Sequence, residues 1–228
     1  KDGLNQYDGQ ECRVFQKENS SLGNNFITAL YEDCEGYIWV GTDAGVYIYN
    51  PIQEAFQFLD TEIASSGEKI TRAVTWITSD SQNNIWISVD NQGLFCYNRG
   101  KKNLTKVVFC GESGIANVTH FWFYAGQLWI ARYEDNLYVS KDNSSFNAFN
   151  DVDGEDIFKG LVINSYVEGL HNCLYVGTSK GLMEINLTSR KVRKLLDEYV
   201  RDICFRSDTD LWIGTEQGLY IYNIETNE

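Results

Sequence analysis

Residues 27–50 read ITALYEDCEGYIWVGTDAGVYIYN, and residues 200–223 read VRDICFRSDTDLWIGTEQGLYIYN. The two stretches share W-V/I-G-T-x-x-G-V/L-Y-I-Y-N in the same register. A third copy, VTWITSDSQNNIWISVDNQGLFCYN, fills residues 74–98. Two diverged copies lie between them: VTHFWFYAGQLWIARYEDNLYVS from Val118 and LYVGTSKGLMEIN from Leu174. Their anchors are Trp39, Trp86, Trp129, Tyr175 and Trp212, spaced 47, 43, 46 and 37 residues apart. A period of roughly 40–50 residues is that of one β-propeller blade. Gly3-Leu4-Asn5-Gln6-Tyr7-Asp8 opens the chain as part of an earlier copy.

Each copy has the chemistry of a small antiparallel sheet. Ile27, Ala29 and Tyr31 alternate with Thr28, Leu30 and Glu32, as in a strand with two faces. A turn at Asp33–Gly36 leads to a second strand with Trp39, and Asp43-Ala44-Gly45 turns into a third. A short fourth strand is expected at Ala55–Leu59, and likewise at Cys12–Gln16, Leu104–Phe109, Phe146–Phe149 and Val192–Leu196. One such sheet cannot bury both faces, so neighbours must stack and place the repeated Trp between them. The expected fold is therefore all-β, a β-propeller of about five four-stranded blades plus a partial one. The chain reads as one domain or fragment, 1–228, with units at about 1–16, 27–59, 74–109, 118–149, 163–196 and 200–223. The partial first copy points to a larger ring.

Composition narrows the partners. The net charge is −13, and the basic residues form only short clusters, Lys101-Lys102 and Arg190 to Lys194. A nucleic-acid backbone is not an expected partner. The six Cys are scattered without a C-x-x-C, which leaves their pairing open. No apolar run reaches the roughly 20 residues of a membrane helix.

The pattern V-x-x-I-x-x-D-x-x-G-x-I/L-W-I/V-G-T-x-x-G-L/V-x-x-Y resembles the regulator propeller repeat of bacterial hybrid two-component receptors, especially those of Bacteroidetes. The match runs through Ile27, Leu30, Asp33, Gly36, Trp39-Val40-Gly41-Thr42, Gly45 and Tyr49, and again through Val200, Ile203, Trp212-Ile213-Gly214-Thr215, Gly218-Leu219 and Tyr222. The resemblance implies a propeller of about seven blades in the periplasmic sensor region of an inner-membrane receptor. It implies a glycan-derived ligand and a histidine kinase outside this chain. Other blades or domains of the same receptor are expected partners, and a homodimer is a further expectation. No cofactor is implied. The alternatives are a scaffold for protein association, or a small lectin-like or glycosidase propeller.

Ligand-binding residues are expected on loops of the rigid scaffold. Arg72, Asn117 and Arg201 fall near entries to the first strand of a copy, and Arg132 and Tyr133 in a loop between second and third strands. Trp76, His120 and Trp122 are additions that the repeat does not require. Aromatic faces and fixed hydrogen-bond donors are what sugar recognition needs; the competing role for the two Trp is packing, and for Arg132 pairing with Glu134 or Asp135. Catalysis is not expected, because His120 and His171 lack metal-ligand spacing and no G-x-S-x-G is present. Asp151 to Asp156 resembles part of a calcium loop but reads as an acidic turn.

Overall fold

The computed structural model describes residues 2–107, 118–142 and 145–226. All regular structure in these residues is β-strand, and no helix is long and apolar enough to cross a membrane. The chain divides into two compact units that meet in sequence at Phe123 and Tyr124.

In the first unit, β1 (Leu4–Tyr7) and β2 (Cys12–Phe15) form a two-stranded sheet. Next come β3 (Ile27–Glu32), β4 (Ile38–Thr42), β5 (Gly45–Asn50) and β6 (Ala55–Phe58), hydrogen-bonded in that order. A second four-stranded sheet follows with β7 (Val74–Ser79), β8 (Ile85–Val89), β9 (Gly93–Asn98) and β10 (Asn103–Lys106). The unit ends in β11 (Val118–Tyr124). The expected strand at Leu104–Phe109 is thus observed to Lys106, and Phe109 lies outside the described residues.

The second unit starts with β12 (Gln127–Arg132), β13 (Leu137–Ser140) and the short β14 (Asn147–Ala148). A full sheet of β15 (Ile163–Glu168), β16 (Cys173–Thr178), β17 (Gly181–Asn186) and β18 (Lys191–Leu196) comes next. It is followed by β19 (Val200–Phe205), β20 (Asp210–Thr215) and β21 (Leu219–Asn223). Every pairing within these sheets is antiparallel between neighbours in sequence.

The G-T-x-x-G signature is a hairpin device. The Thr42 hydroxyl donates to the Gly45 carbonyl at 2.9 Å and accepts from the Ala44 N–H at 3.1 Å. Thr178 and Thr215 make the same pair of bonds in their own hairpins. The following glycine sits at positive φ, +118° at Gly45, where a β-carbon would be strained.

The Asp of the repeat does more than turn the chain. Asp33 Oδ1 accepts from the N–H groups of Glu35 and Tyr37, and Oδ2 accepts from Trp39 Nε1 at 2.8 Å. Asp80 repeats this on Gln82, Asn84 and Trp86. One carboxylate therefore ties the turn to the anchor ring and satisfies the buried indole N–H. Arg99, from the turn after β9, reaches back to Asp33 at 3.0 Å and Glu35 at 2.6 Å, joining the two full sheets of the first unit.

Sheets cover one another face to face. Trp39, Val46, Val74, Ile77 and Ile87 share one buried cluster between the β3–β6 and β7–β10 sheets. Tyr175, Leu182, Val200, Ile203 and Ile213 share the equivalent cluster in the second unit. Close approach depends on glycine at two places. A β-carbon on Gly41 would lie 2.8 Å from Val74 Cγ1, and one on Gly177 would lie 2.7 Å from Val200 Cγ1.

The innermost strand is not regular. Its pairing slips at the same place in four copies, between Ile27 and Ala29, Val74 and Trp76, Ile163 and Ser165, and Val200 and Asp202. Thr28, Thr75, Asn164 and Arg201 are the extra residues of four equivalent β-bulges. The bulge explains why V-x-x-I puts two residues three apart into one core: Val74 with Ile77, and Val200 with Ile203. A regular strand would turn them to opposite faces.

Two measurements test these roles. Asp80→Ala leaves two turn N–H groups and one indole without their acceptor and is expected to cost about 2 kcal/mol or more; urea unfolding of the variant should show a lower midpoint with an unchanged slope. Burial, aided by the Asp80 charge, pushes the Cys96 thiol up to about 12, so Cys96 should resist alkylation at pH 8 while exposed Cys12 and Cys34 are labelled.

Candidate functional site: hairpin ends and inner strands

The expected binding residues fall into two sets, one in each unit. In the first unit Arg72 is exposed on the approach to β7. Trp76 follows the β7 bulge and stands opposite Ser88. Its ring meets His120 of β11 with centroids 4.8 Å apart and planes at 59°. The Trp76 indole N–H is buried and has no hydrogen-bond partner among the described residues, although the ring is partly exposed. Beside it, the Thr75 hydroxyl donates to Ser88 Oγ at 2.9 Å, and Ser88 donates to the Val118 carbonyl at 3.1 Å. The bulge thereby fastens one inner strand to the next. Asn117 lies outside the described residues.

Trp122 differs from Trp76. It is only 2% exposed and belongs with the largest fully buried side chains, so its surface goes into packing. Alternation gives both positions the same face, so they differ in their place along the inner strand: Trp76 and His120 are two residues beyond the first residue of their strands and Trp122 is four beyond.

In the second unit the site gathers Tyr133, Tyr199 and Arg201. Tyr133 is exposed, and the Glu134 carboxylate raises its phenol above the ordinary range, with a smaller contribution from Tyr199. The phenol stays neutral at physiological pH, and its O–H is hydrogen-bonded to Glu134. Arg201, the bulge residue of β19, lies over the Tyr199 ring at 5.4 Å and pairs with Glu216 at 2.8 Å. Tyr199 donates to Asn164, the bulge residue of β15, and Asn164 donates to the Val200 carbonyl at 2.7 Å. Arg132 is held rather than presented: it pairs with Asp135 at 3.1 Å and lies over the Tyr138 ring.

The arrangement offers an exposed tyrosine face, a guanidinium and fixed amide and hydroxyl groups, which suit a neutral polyol better than a highly charged ligand. Among the described residues, no group of three His, Cys, Asp or Glu side chains is placed to hold a metal. Asp151 Oδ1 is occupied by the N–H groups of Asp153 and Glu155, which makes that segment a closed acidic turn. The described cysteines are all free thiols.

Sequence reasoning missed Thr75, Tyr199 and Asn164. The V-x-x-I spacing was the available signal for the bulge positions; Tyr199 carried none. Exposed and buried aromatics should separate on substitution. Tyr133→Ala and Arg201→Ala are expected to change unfolding free energy by less than about 1 kcal/mol, because an exposed pair contributes little. Trp122→Ala should cost about 3–5 kcal/mol through the cavity it leaves, and chemical denaturation of the three variants measures both.

Residues 21–44 and 194–217 match the two-component regulator propeller family. Over 236 aligned residues the chain is 26% identical to histidine kinase P4 of Formosa agariphila, covering 93% of this chain and 17% of that protein. A domain assigned as the extracellular domain of the hybrid two-component system BT3049 from B. thetaiotaomicron superposes with a TM-score of 0.79 at 23% identity, over 99% of this chain and 32% of that one. PorZ, a surface component of the type-IX secretion system of Porphyromonas gingivalis, superposes at 0.73 with 16% identity, over 98% of this chain and 37% of that one. The chain thus spans about a sixth of the curated relative and about a third of each solved structure. The fold is a β-propeller, and residues 21–44 and 194–217 are similar to the two-component regulator propeller repeat.

Proposed function

We propose that the chain is a sensor segment in the periplasmic region of a hybrid two-component receptor, where it binds a glycan-derived oligosaccharide and signals to a cytoplasmic histidine kinase. The observation that carries this reading is the similarity to histidine kinase P4 along 93% of the chain. The likeness to an extracellular two-component domain supports the location outside the cytoplasm. Exposed Tyr133 and the partly exposed Trp76 supply the planar surfaces a sugar ring stacks on. The net charge of −13 favours neutral over anionic glycans. The kinase chemistry belongs to other parts of the receptor, and this segment contributes recognition.

The test is calorimetry of the complete receptor ectodomain against a panel of neutral oligosaccharides, together with kinase autophosphorylation in the full receptor. Binding of one panel member, weakened at least tenfold by Tyr133→Ala or Trp76→Ala and accompanied by a change in phosphorylation, is the expected result. Absence of heat with every sugar overturns the ligand class, and a receptor gene without a kinase overturns the signalling role.

A further inference from the structure

Two clefts lie at equivalent places, one in each unit. In the first unit the row Trp39, Ile48 and Gln57 across β4, β5 and β6 forms one wall, and Arg99, Gly100 and Lys102 of the turn after β9 form the other. In the second unit the row Trp129, Val139 and Asn147 across β12, β13 and β14 lines the cleft together with Leu187, Thr188 and Arg190 of the turn after β17. The two turns have the same build. Asn98 Oδ1 accepts from the Lys101 N–H and Asn186 Oδ1 from the Ser189 N–H, and Lys102 and Arg190 both sit at positive φ, +49° and +58°.

Their charges differ. In the first cleft the Arg99 guanidinium is answered by Asp33 and Glu35. In the second, Leu187 takes the place of Arg99, and the Ala125-Gly126 turn brings no carboxylate. The first cleft has a volume of about 500 Å³ and the second about 620 Å³, within the roughly 300–1,000 Å³ of small-molecule sites. Lys141 and Arg190 line the second, and neither pairs with a carboxylate among the described residues. Asp142 is the one acidic side chain on the described lining, and its oxygens are taken: Oδ1 accepts from Ser140 Oγ and the Ser145 N–H, and Oδ2 from Ser145 Oγ. In a chain of net charge −13, two unanswered cations in one cleft are the exception.

Arg190 is also held in place. Its Cζ lies over the Phe149 ring at 4.9 Å, Phe149 packs on Trp129 with centroids 5.3 Å apart, and the guanidinium donates to the Asn150 carbonyl. These contacts restrain the group and leave it further N–H donors, in the planar geometry that matches a carboxylate. Lys141 adds a second, compact charge.

We propose that the cleft between the β12–β14 and β15–β18 sheets binds a sugar acid, with Arg190 and Lys141 holding its carboxylate and Gln127, Asn147 and Thr188 serving its hydroxyls. The amide and hydroxyl side chains of the lining suit a polyhydroxylated acid better than an apolar one. The site is separate from Tyr133. Strand β12 runs between them, with Gln127 its first residue and Tyr133 just past its last, roughly 20 Å along an extended chain. The proposal therefore goes beyond the function given above and stands or falls without it.

Glucuronate and glucose are the probes, because they differ only in carrying a carboxylate or a hydroxymethyl group on the ring. Ligand-detected NMR titration of the full-length polypeptide is expected to show glucuronate binding at least tenfold tighter than glucose, the gain of charge-assisted hydrogen bonds. Arg190→Lys keeps the charge, and Lys102 at the equivalent backbone position shows that lysine fits there. It should weaken glucuronate at least fivefold by removing the planar donor pair, and Lys141→Gln should weaken it by a similar factor. Tyr133→Ala should leave glucuronate binding unchanged. Equal binding of the two sugars, no binding of glucuronate, or a loss caused by Tyr133→Ala and not by Arg190→Lys overturns the proposal. Displacement of glucuronate by an equal concentration of sulfate marks an unselective anion site and overturns it too.

Discussion

Everything in this chain depends on one constraint: a four-stranded sheet that is apolar on both faces has to be covered on both. The β3–β6 and β15–β18 sheets answer it by acting as sockets for the sheets that follow them. The socket has a wide part, filled by the indole ring, and a narrow part, where glycine lets the next inner strand approach. Trp39 with Gly41 shows both parts, and the Tyr175 sheet reproduces them with a smaller ring. The hairpin and turn devices hold these two features in register. Their polar bonds matter less for the energy they add than for the positions they fix.

The inner strand adds a second level of organisation. Its bulge breaks the alternation so that two apolar residues three apart enter one core. The displaced residue is then available for lateral bonds, which Thr75 and Asn164 make to the neighbouring strand. Packing and lateral bonding are thus served by adjacent residues, and the side chain just beyond the bulge is left to vary. Ala29, Trp76, Ser165 and Asp202 hold that place; where glycine follows on the next strand, at Gly41 and Gly177, the residue is small and packed, as Ala29 and Ser165 are.

The strands, turns and anchors were legible in the sequence because period, glycine and aromatic positions all pointed to one arrangement. The all-β propeller reading stood on that agreement. Less of the candidate site could be read. Arg132 and Tyr133 are neighbours in one loop, yet one is paired and stacked while the other is exposed, and no local pattern distinguishes them. Trp76 and Trp122 looked alike as extras to the repeat. Alternation gives them the same face, and what separates them is their place along the inner strand, which no local pattern marks.

The Asp33–Arg99 contact bears on how such an array can evolve. Arg99 belongs to one repeat, and the carboxylates of Asp33 and Glu35 that it satisfies belong to the repeat before. The third copy turns through Ala125-Gly126 without that Asp, and the fourth holds its Tyr175 through Glu184 and Arg193. Repeats alike in their anchors thus differ in their polar partners, and the pair joined by Arg99 is matched by charge across its seam. Exchanging the repeat that carries Arg99 would remove this ion pair and leave the buried Asp33 carboxylate to the N–H groups of its own turn and Trp39.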